Sequence, residues 1–370
     1  MYRSWVGGGV EAVVMNYYRH IDRSKIQFDF LCDDDSTNIP YEEIERLGGR
    51  VILIPPYQKV FKYQKELIKI FKENKYKIVH SHINTLSVFP LRAAKKAGVP
   101  VRIAHSHSVI INNKIEWKRN IIKNFLKHFS KVYATNYFAC SKEAGISQFG
   151  LKTFTSGEIV IINNAIDTKK FLFNENLRKK IRVKYDIPTN AVVLGTVGRL
   201  VKTKNPMYTL KRFEKFYNAN DNSYLLFVGH GDMQQEIQEN IKGKPYESHV
   251  IFTGQVENVS DMYNAMDIFL FPSLYEGLGM ALVEAQYNGL LCISSSAVPR
   301  MSKVTNNVSF INLSSLEDWD TTIMMYSKRA SISSRASTKI YSKIFDIELE
   351  ATNLETNYKK FMKGEMICND

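Results

Sequence analysis

At 370 residues, 44% of them hydrophobic, the chain is long enough for two domains with sizeable cores and too apolar for a disordered polymer. Cys32, Cys140, Cys292 and Cys368 are widely spaced with no C-x-x-C pair, which argues against a disulfide framework or structural zinc and fits a reducing compartment. A net charge of +13 calls for an anionic partner such as nucleic acid, lipid headgroups or a phosphorylated substrate, and no apolar run reaches the roughly 18 residues of a spanning helix.

The chain opens on Met1 to Val6, too short and too polar for a good central parallel strand, so a first strand is read as missing or short; no secretory leader is recognised. Gly7, Gly8 and Gly9 then lead into an apolar helix at 10–19, and a glycine loop ahead of a helix is a natural phosphate cradle. Strands are expected at 26–31, 51–54, 77–80, 101–105 and 132–139, alternating with helices at 41–47, 60–73, 86–97 and 115–129, the pattern of βαβ units. Residues 57–78 hold seven lysines against two glutamates, and residues 111–131 hold six Lys/Arg against one Glu. Both carry apolar positions at helical spacing: Val60, Leu67, Ile68 and Phe71 in the first, Ile115, Ile122, Phe125 and Phe129 in the second, with Trp117 nearby. Such helices can lie on an anionic membrane surface, chiefly through the second segment; the plainer reading is two surface helices packed on a sheet.

A second α/β series starts near 159, with strands at 159–163, 192–196, 224–228, 249–252, 267–271 and 290–293. Its helices are expected near 174–184, 205–218, 232–241, 258–265, 278–288, 317–328 and 331–345. Domains of 1–158 and 159–345 follow, with a helical tail over 346–370 that can return to the first domain. Asn163-Asn164-Ala165-Ile166-Asp167 reads as the turn between them. Parallel sheets bind ligands at the carboxyl ends of their strands, and the polar motifs of the second series fall there: Gly195 to Arg199, Gly229 to Asp232, Thr253 to Gln255 and Pro272 to Gly279. Two such domains facing a cleft suit a two-substrate reaction.

Within PSLYEGLGMALVE, Glu276 and Glu284 lie eight positions apart around a turn containing Gly277, Leu278 and Gly279, which lets the backbone approach a ligand at a helix start. Arg199 and Lys204 follow the Gly198 turn and can grip and neutralise a diphosphate; Gly231 sits in the next strand-end turn. His80, His82, His105 and His107 form two H-S-H triplets at strand ends. A metal site is their obvious rival reading, but no Cys/Asp/Glu pattern or H-E-x-x-H accompanies them, so no metal is assigned. His105 or His107 is the first domain's cleft candidate, and Arg102 and Arg119 could meet an anionic acceptor. No P-loop, G-x-S-x-G elbow or full nicotinamide fingerprint occurs, and the basic helices have core-like Ile/Phe spacing rather than that of a nucleic-acid module.

Taken in order, GGGVEAVVMNYYRHID, VRIAHSHS, FACSKEAG, IINNAID, TVGRLVKTKNP, LLFVGHGDM and PSLYEGLGMALVEAQYNGL resemble the retaining glycosyltransferases of family 4 with the GT-B fold, two Rossmann-like doubly wound domains facing a cleft. The branch most similar is the bacterial exopolysaccharide or capsule one, with EpsF-like members. The resemblance implies that Arg199 and Lys204 meet the donor diphosphate, Glu276 positions the donor sugar and Glu284 holds the ribose. Gly8 and Gly9 correspond to the phosphate-side loop, and the His105–His107 stretch to the region near the transferred sugar. It implies no cofactor beyond a nucleotide-sugar donor, expected to be UDP-linked, and a metal-independent reaction retaining the anomeric configuration. The expected acceptor is a lipid-linked oligosaccharide at the inner face of the cell membrane, with an anionic membrane surface and other polysaccharide-assembly proteins as partners and no nucleic acid. The alternatives are a soluble or other envelope acceptor, or a non-catalytic subunit of an assembly complex. The chain departs from the family pattern in its short first strand, in His230 within GHG, and in Asn164-Ala165 where relatives have Asn-Gly.

Overall fold

The computed structural model describes residues 9–108, 126, 129, 131–330 and 332–365, with the side chains of 333 and 334 excepted. The chain divides into two compact units, 1–166 with 344–370, and 167–343. The sequence reading opened the second domain at 159, but the strand there pairs into the first unit's sheet. The break falls within the expected turn, between Ile166 and Asp167.

The first unit contains β1 (Asp29–Asp33), β2 (Arg50–Ile54), β3 (Ile78–Ser81), β4 (Val101–Ser106), β5 (Asn136–Ala139) and β6 (Ile159–Ile161). All pairings are parallel, and they form two sheets, β1-β2 and β3-β4-β5-β6. One core joins Val13, Val14, Tyr17 and Tyr18 of the helix Gly9–His20 to Phe30, Ile103 and Phe138 of the strands. Leu354, Tyr358 and Phe361 of the helix Ile347–Met362 complete that core, so the tail belongs to this unit. A second core gathers Tyr63, Leu67, Ile70 and Phe71 of the helix Val60–Glu73 with Leu91, Ala104 and Ala139.

This packing corrects the reading of the first basic helix. Leu67 and Phe71, expected on a membrane-facing side, are 0% and 3% exposed and pack in the core. What faces solvent is Phe61 (92% exposed) among the exposed lysines 59, 62, 65, 69 and 72. Of the second basic segment, Ile115, Trp117, Arg119, Ile122 and Phe125 lie outside the described residues, as do Gly7 and Gly8.

The second unit contains β7 (Val192–Val197), β8 (Ser223–Val228), β9 (Val250–Phe252), β10 (Ile268–Phe271), β11 (Leu291–Ser295) and β12 (Val308–Ile311). Its sheet runs β12-β11-β10-β7-β8-β9, parallel throughout. The order reverses direction between β7 and β10, which is the switch point of a doubly wound sheet and the place where such sheets bind ligands. Apolar cores cover both faces, which explains why β8 and β10 read as unbroken apolar runs. β12 has no counterpart in the sequence reading, because VSFI is short and only Val308 is fully buried. The expected helix at 331–345 shrinks to Ile332–Ala336, and the expected strand at 132–139 to β5, with helix immediately before it at 131–133.

The amino ends of β7 and β10 are locked by Asp267. Its carboxylate accepts from Arg178 Nη2 (2.5 Å), Arg182 Nη2 (2.7 Å) and the Val193 amide (2.8 Å). Arg182 is 1% exposed, and its remaining donors meet the carbonyls of Ala265, Pro188, Thr189 and Ala191. A buried guanidinium is tolerated only with such full pairing; removing one partner typically costs about 3–5 kcal/mol. The two strands at the switch point are therefore held rigid at one end while their other ends carry the loops described next.

Candidate active site

Two loops leave the carboxyl ends of β7 and β10. After β7, Gly198 turns with φ +144°, Arg199 is exposed, and Lys202–Lys204 form one tight turn before Asn205 (φ 56°, ψ 50°) starts the helix Pro206–Tyr217. After β10, Pro272 to Leu278 runs into Gly279, whose φ of +87° marks the start of the helix Met280–Tyr287. A side chain at Gly279 would press on Val298 and Phe271, so glycine is needed for both angle and space. Gly277 is not among the positive-φ glycines.

Polar contacts tie the two loops together. Lys204 Nζ donates to Glu276 Oε1 at 2.5 Å, and Ser273 Oγ donates to the same oxygen at 2.6 Å. Leu274 N donates to Thr203 O (2.8 Å) and Asn205 Nδ2 to Pro272 O (3.3 Å). The Lys204 ammonium also lies 5.2 Å from the centre of the Phe271 ring. Glu284, on the following helix, accepts from the buried Tyr263 hydroxyl at 2.6 Å. Burial pushes its carboxyl pKa up, against the Tyr263 hydrogen bond and the Lys204 charge, which pull it down. Lys204 thus acts electrostatically on both acids of the pair. Arg199 makes no ion pair or side-chain hydrogen bond among the described residues, so its guanidinium is open to solvent and to a ligand.

The neighbouring turns are stitched to this pair of loops. Gly198 N donates to Val228 O (2.9 Å), Gly229 N to Gly254 O (3.0 Å) and Leu200 N to His230 O (3.1 Å). A Cβ on Gly229 would fall on the Gly198 carbonyl, and one on Gly231 on the Leu200 backbone. The glycines at 198, 229 and 231 therefore let three strand-end turns approach one another. His230 contributes its carbonyl here and keeps its exposed ring out of the contact. Leu278 is 4% exposed and packs inward, so only its backbone is left for a ligand.

The first unit carries a second polar group. All four strand-end histidines converge. His80 Nε2 lies 3.0 Å from His105 Nδ1, and His82 Nδ1 lies 2.9 Å from His107 Nε2. The His105 and His107 rings stack at 4.0 Å, and Tyr358 Oη sits 2.6 Å from His80 Nδ1. His82, not put forward as a cleft candidate from the sequence, is an equal member. Burial drives all four pKa values below the usual imidazole range, that of His107 to about 4. Among the described residues His105 Nε2 is buried without a hydrogen-bond partner; the Asn164 side chain, by hydrogen bonding, pulls the His107 value up against burial. Ring nitrogens of His80, His82 and His105 lie within 4.8 Å of one another, a spacing that could hold a metal, the rival reading of the H-S-H triplets, to which no metal is assigned from the sequence. The 80–105 and 82–107 pairs already use ring nitrogens on each other.

Other expected contacts are placed differently. Arg102 is not offered to an anion; it donates to the carbonyls of Tyr133 (2.7 Å) and Val99 (2.7 Å). Gly9 is the first residue of a helix and exposed. Ala165 is fully buried without positive φ, so this turn has no need of the glycine found in relatives. Sequence reasoning missed Ser273, Tyr263, Tyr358 and Asn84, whose Oδ1 accepts from His107 N at 2.8 Å. Ser273 lies inside the quoted motif and was open to recognition; the others reach their partners across long chain separations.

Comparison with known proteins bears on the family and the fold. The model of the glycosyltransferase family 4 matches residues 7–170, and that of the glycosyl transferases group 1 matches 178–312. EpsF of Bacillus subtilis, named as a glycosyltransferase, is 32% identical over 294 residues, 79% of this chain and 77% of its own. An Escherichia coli enzyme named UDP-Gal:alpha-D-GlcNAc-diphosphoundecaprenol alpha-1,3-galactosyltransferase is 25% identical over 78% of this chain and 76% of its own. HepE of Anabaena, solved in complex with UDP-glucose, superimposes with a TM-score of 0.75 at 17% identity over 97% of this chain and 98% of its own, which establishes the GT-B fold. The chain belongs to the family 4 glycosyltransferases of the GT-B fold.

The histidine cluster makes stability pH-dependent. Imidazoles with depressed folded pKa values contribute stability that is complete above the unfolded value of about 6.5 and is lost as pH falls toward about 4. Glu350, whose carboxyl is raised by burial, works in the opposite sense, so the histidine part is read by difference. Thermal unfolding followed between pH 7 and 4 should show a steep loss of melting temperature, and His107→Gln should flatten that slope; equal slopes would remove His107 from it.

Proposed function

On the premise of a family 4 glycosyltransferase, we propose that the chain moves a hexose or N-acetylhexosamine from a UDP-sugar to a polyprenyl-diphosphate-linked glycan, with retention of configuration, in capsule or exopolysaccharide synthesis. The observation that carries the reading is the Lys204–Glu276 pair at the β7/β10 switch point, with Arg199 exposed beside it and Glu284 on the next helix. A UDP-type donor is supported by the UDP-glucose complex of HepE, and a lipid-linked acceptor by the name of the E. coli relative.

In this reading Arg199 and Lys204 neutralise charge as it accumulates on the departing diphosphate, in a site where fixed charges act more strongly than in water. We assign that task to these cations, with no metal in the transfer step. Lys204 bonds to Glu276 and offers its remaining N–H donors to phosphate oxygen of the donor. Glu276, fixed by Lys204 and Ser273, positions the sugar and faces the positive charge that develops at the anomeric carbon. The bond from that carbon to phosphate oxygen breaks, the acceptor oxygen bonds to the same face, and the acceptor proton passes to the leaving phosphate. No protein base is required. Glu284 accepts from ribose hydroxyls, with Tyr263 fixing its other side. We assign sugar contact in the first unit to His105 or His107, whose neutral rings can donate to or accept from hydroxyls.

The acceptor lipid requires a peripheral position at the inner face of the membrane. Phe61, projecting among the exposed lysines of the helix Val60–Glu73, supports that position: an aromatic ring can enter the headgroup region while ammonium groups meet anionic lipid.

Glu276→Gln should leave the fold and melting temperature nearly unchanged and lower turnover with its donor by about 100-fold or more, since geometric misplacement alone costs that much. Near-normal turnover would remove Glu276 from its role. Reversing Lys62, Lys65 and Lys69 to Glu together with Phe61→Ala should markedly reduce co-sedimentation with anionic liposomes at low salt; binding equal to the unmodified chain would move the membrane contact elsewhere.

A further inference from the structure

One member of the histidine cluster touches a hydroxyl, and that contact gives the cluster a direction. In the parallel register of β3 and β4, His80 lies opposite Ile103, two residues before His105, so His80 and His105 project on one face of the sheet. The helix Ile347–Met362 packs on that face, in the core that also holds Ile103 and Phe138, and brings Tyr358 to His80. Tyr358 is 4% exposed, and both histidine rings stand edge-on to Phe138, at 5.3 and 5.8 Å. Three groups fall in line: Tyr358 Oη is 2.6 Å from His80 Nδ1, and His80 Nε2 is 3.0 Å from His105 Nδ1.

The protons in this line are ordered by its first member. Among the described residues His80 Nδ1 is the one hydrogen-bond partner of the Tyr358 hydroxyl. Were that oxygen to accept from His80, its own buried O–H would have no acceptor, which is costly, so Tyr358 donates. Burial pushes the Tyr358 phenol pKa up and both imidazoles down, so all three groups are neutral at pH 7. A neutral His80 that accepts at Nδ1 carries its proton on Nε2 and donates it to His105 Nδ1. His105, neutral and accepting at Nδ1, then carries its proton on Nε2. That nitrogen is buried without a hydrogen-bond partner among the described residues, so the line ends in a donor still in need of an acceptor. His107 is not equivalent, since the Asn164 side chain hydrogen-bonds to it.

We propose that Tyr358 is a positioning residue which, through His80, holds His105 in the tautomer that presents an Nε2–H donor to an oxygen of the transferred sugar. The nature of the acceptor rests on the sugar-transfer reading; the order of the protons does not.

The test is nitrogen NMR of the full chain, isotope-labelled in its histidine rings and treated with chelator, so that ring shifts report protonation alone. Protonated and bare imidazole nitrogens are well separated in shift, and loss of signals in His80→Gln and His105→Gln assigns them. The expected result is Nε2–H with bare Nδ1 at both His80 and His105, and mixed tautomers at His105 in Tyr358→Phe. Turnover with the UDP-sugar should fall about tenfold in that variant, the worth of one hydrogen bond, with its melting temperature well above that of the assay. In a His105→Gln background the same substitution should change turnover little, because Tyr358 acts through His105. An Nδ1–H at His105 in the unmodified chain overturns the proposal, as does an unchanged tautomer or undiminished turnover in Tyr358→Phe. An equal loss in the His105→Gln background also overturns it, marking an effect of packing. The expected spectra in a chain that transfers no sugar would overturn the sugar-transfer reading instead.

Discussion

The constraint on which the second unit depends is the reversal of strand order between β7 and β10. Helices leaving these adjacent strands go to opposite sides, so the loops after them diverge around a crevice, crossed by the Leu274 N–Thr203 O backbone bond and by side chains. Lys204 and Glu276 bridge it, one from each loop. The ion pair is partly exposed on the lysine side, so it contributes little to stability by itself. Its consequence is positional: it fixes a carboxylate and an ammonium side by side at a strand end, next to a turn that leaves an arginine free. At the opposite ends of the same two strands, Asp267 and its arginines supply rigidity by a buried network that solvent cannot replace. One sheet thus carries a buried clamp at one end and the Lys204–Glu276 pair at the other.

Much of this arrangement was legible in the sequence because parallel strands place function at their carboxyl ends. The glycines at 198, 229, 231 and 279 each mark a turn where either φ or steric space requires them, and each follows an apolar run that became a strand or begins a helix. Glu276, Glu284, Arg199 and Lys204 were recognisable from that context. Hidden were the partners that arrive from far along the chain. Tyr263 meets Glu284 from a preceding helix, and Tyr358 meets His80 across 278 positions. Arg102 illustrates the opposite error: a charged residue in a strand looked available for an anion but is occupied by backbone carbonyls that no local pattern reveals. The apolar stripe of the helix Val60–Glu73 faces the core, and only the projecting Phe61 distinguishes the outer surface from an ordinary lysine-rich face.

The first unit places four neutral imidazoles at the carboxyl ends of two adjacent strands, where an anionic or hydroxyl-rich ligand would be met by hydrogen bonding rather than by charge. In the second unit Lys204 and Arg199 carry the charge at the strand ends. The histidine nitrogens of the first unit lie close enough together to hold an ion in their own right.

The central claim is that the crevice at the β7/β10 switch point holds the diphosphate of a uridine nucleotide sugar. Its most direct test is calorimetric titration of the folded full chain with a panel of UDP-, GDP- and ADP-sugars, repeated on Lys204→Ala. The account predicts selective binding of a UDP-sugar and a clear loss of that affinity in the variant. Binding of no nucleotide sugar, or UDP-sugar binding of equal strength in the variant, would contradict it.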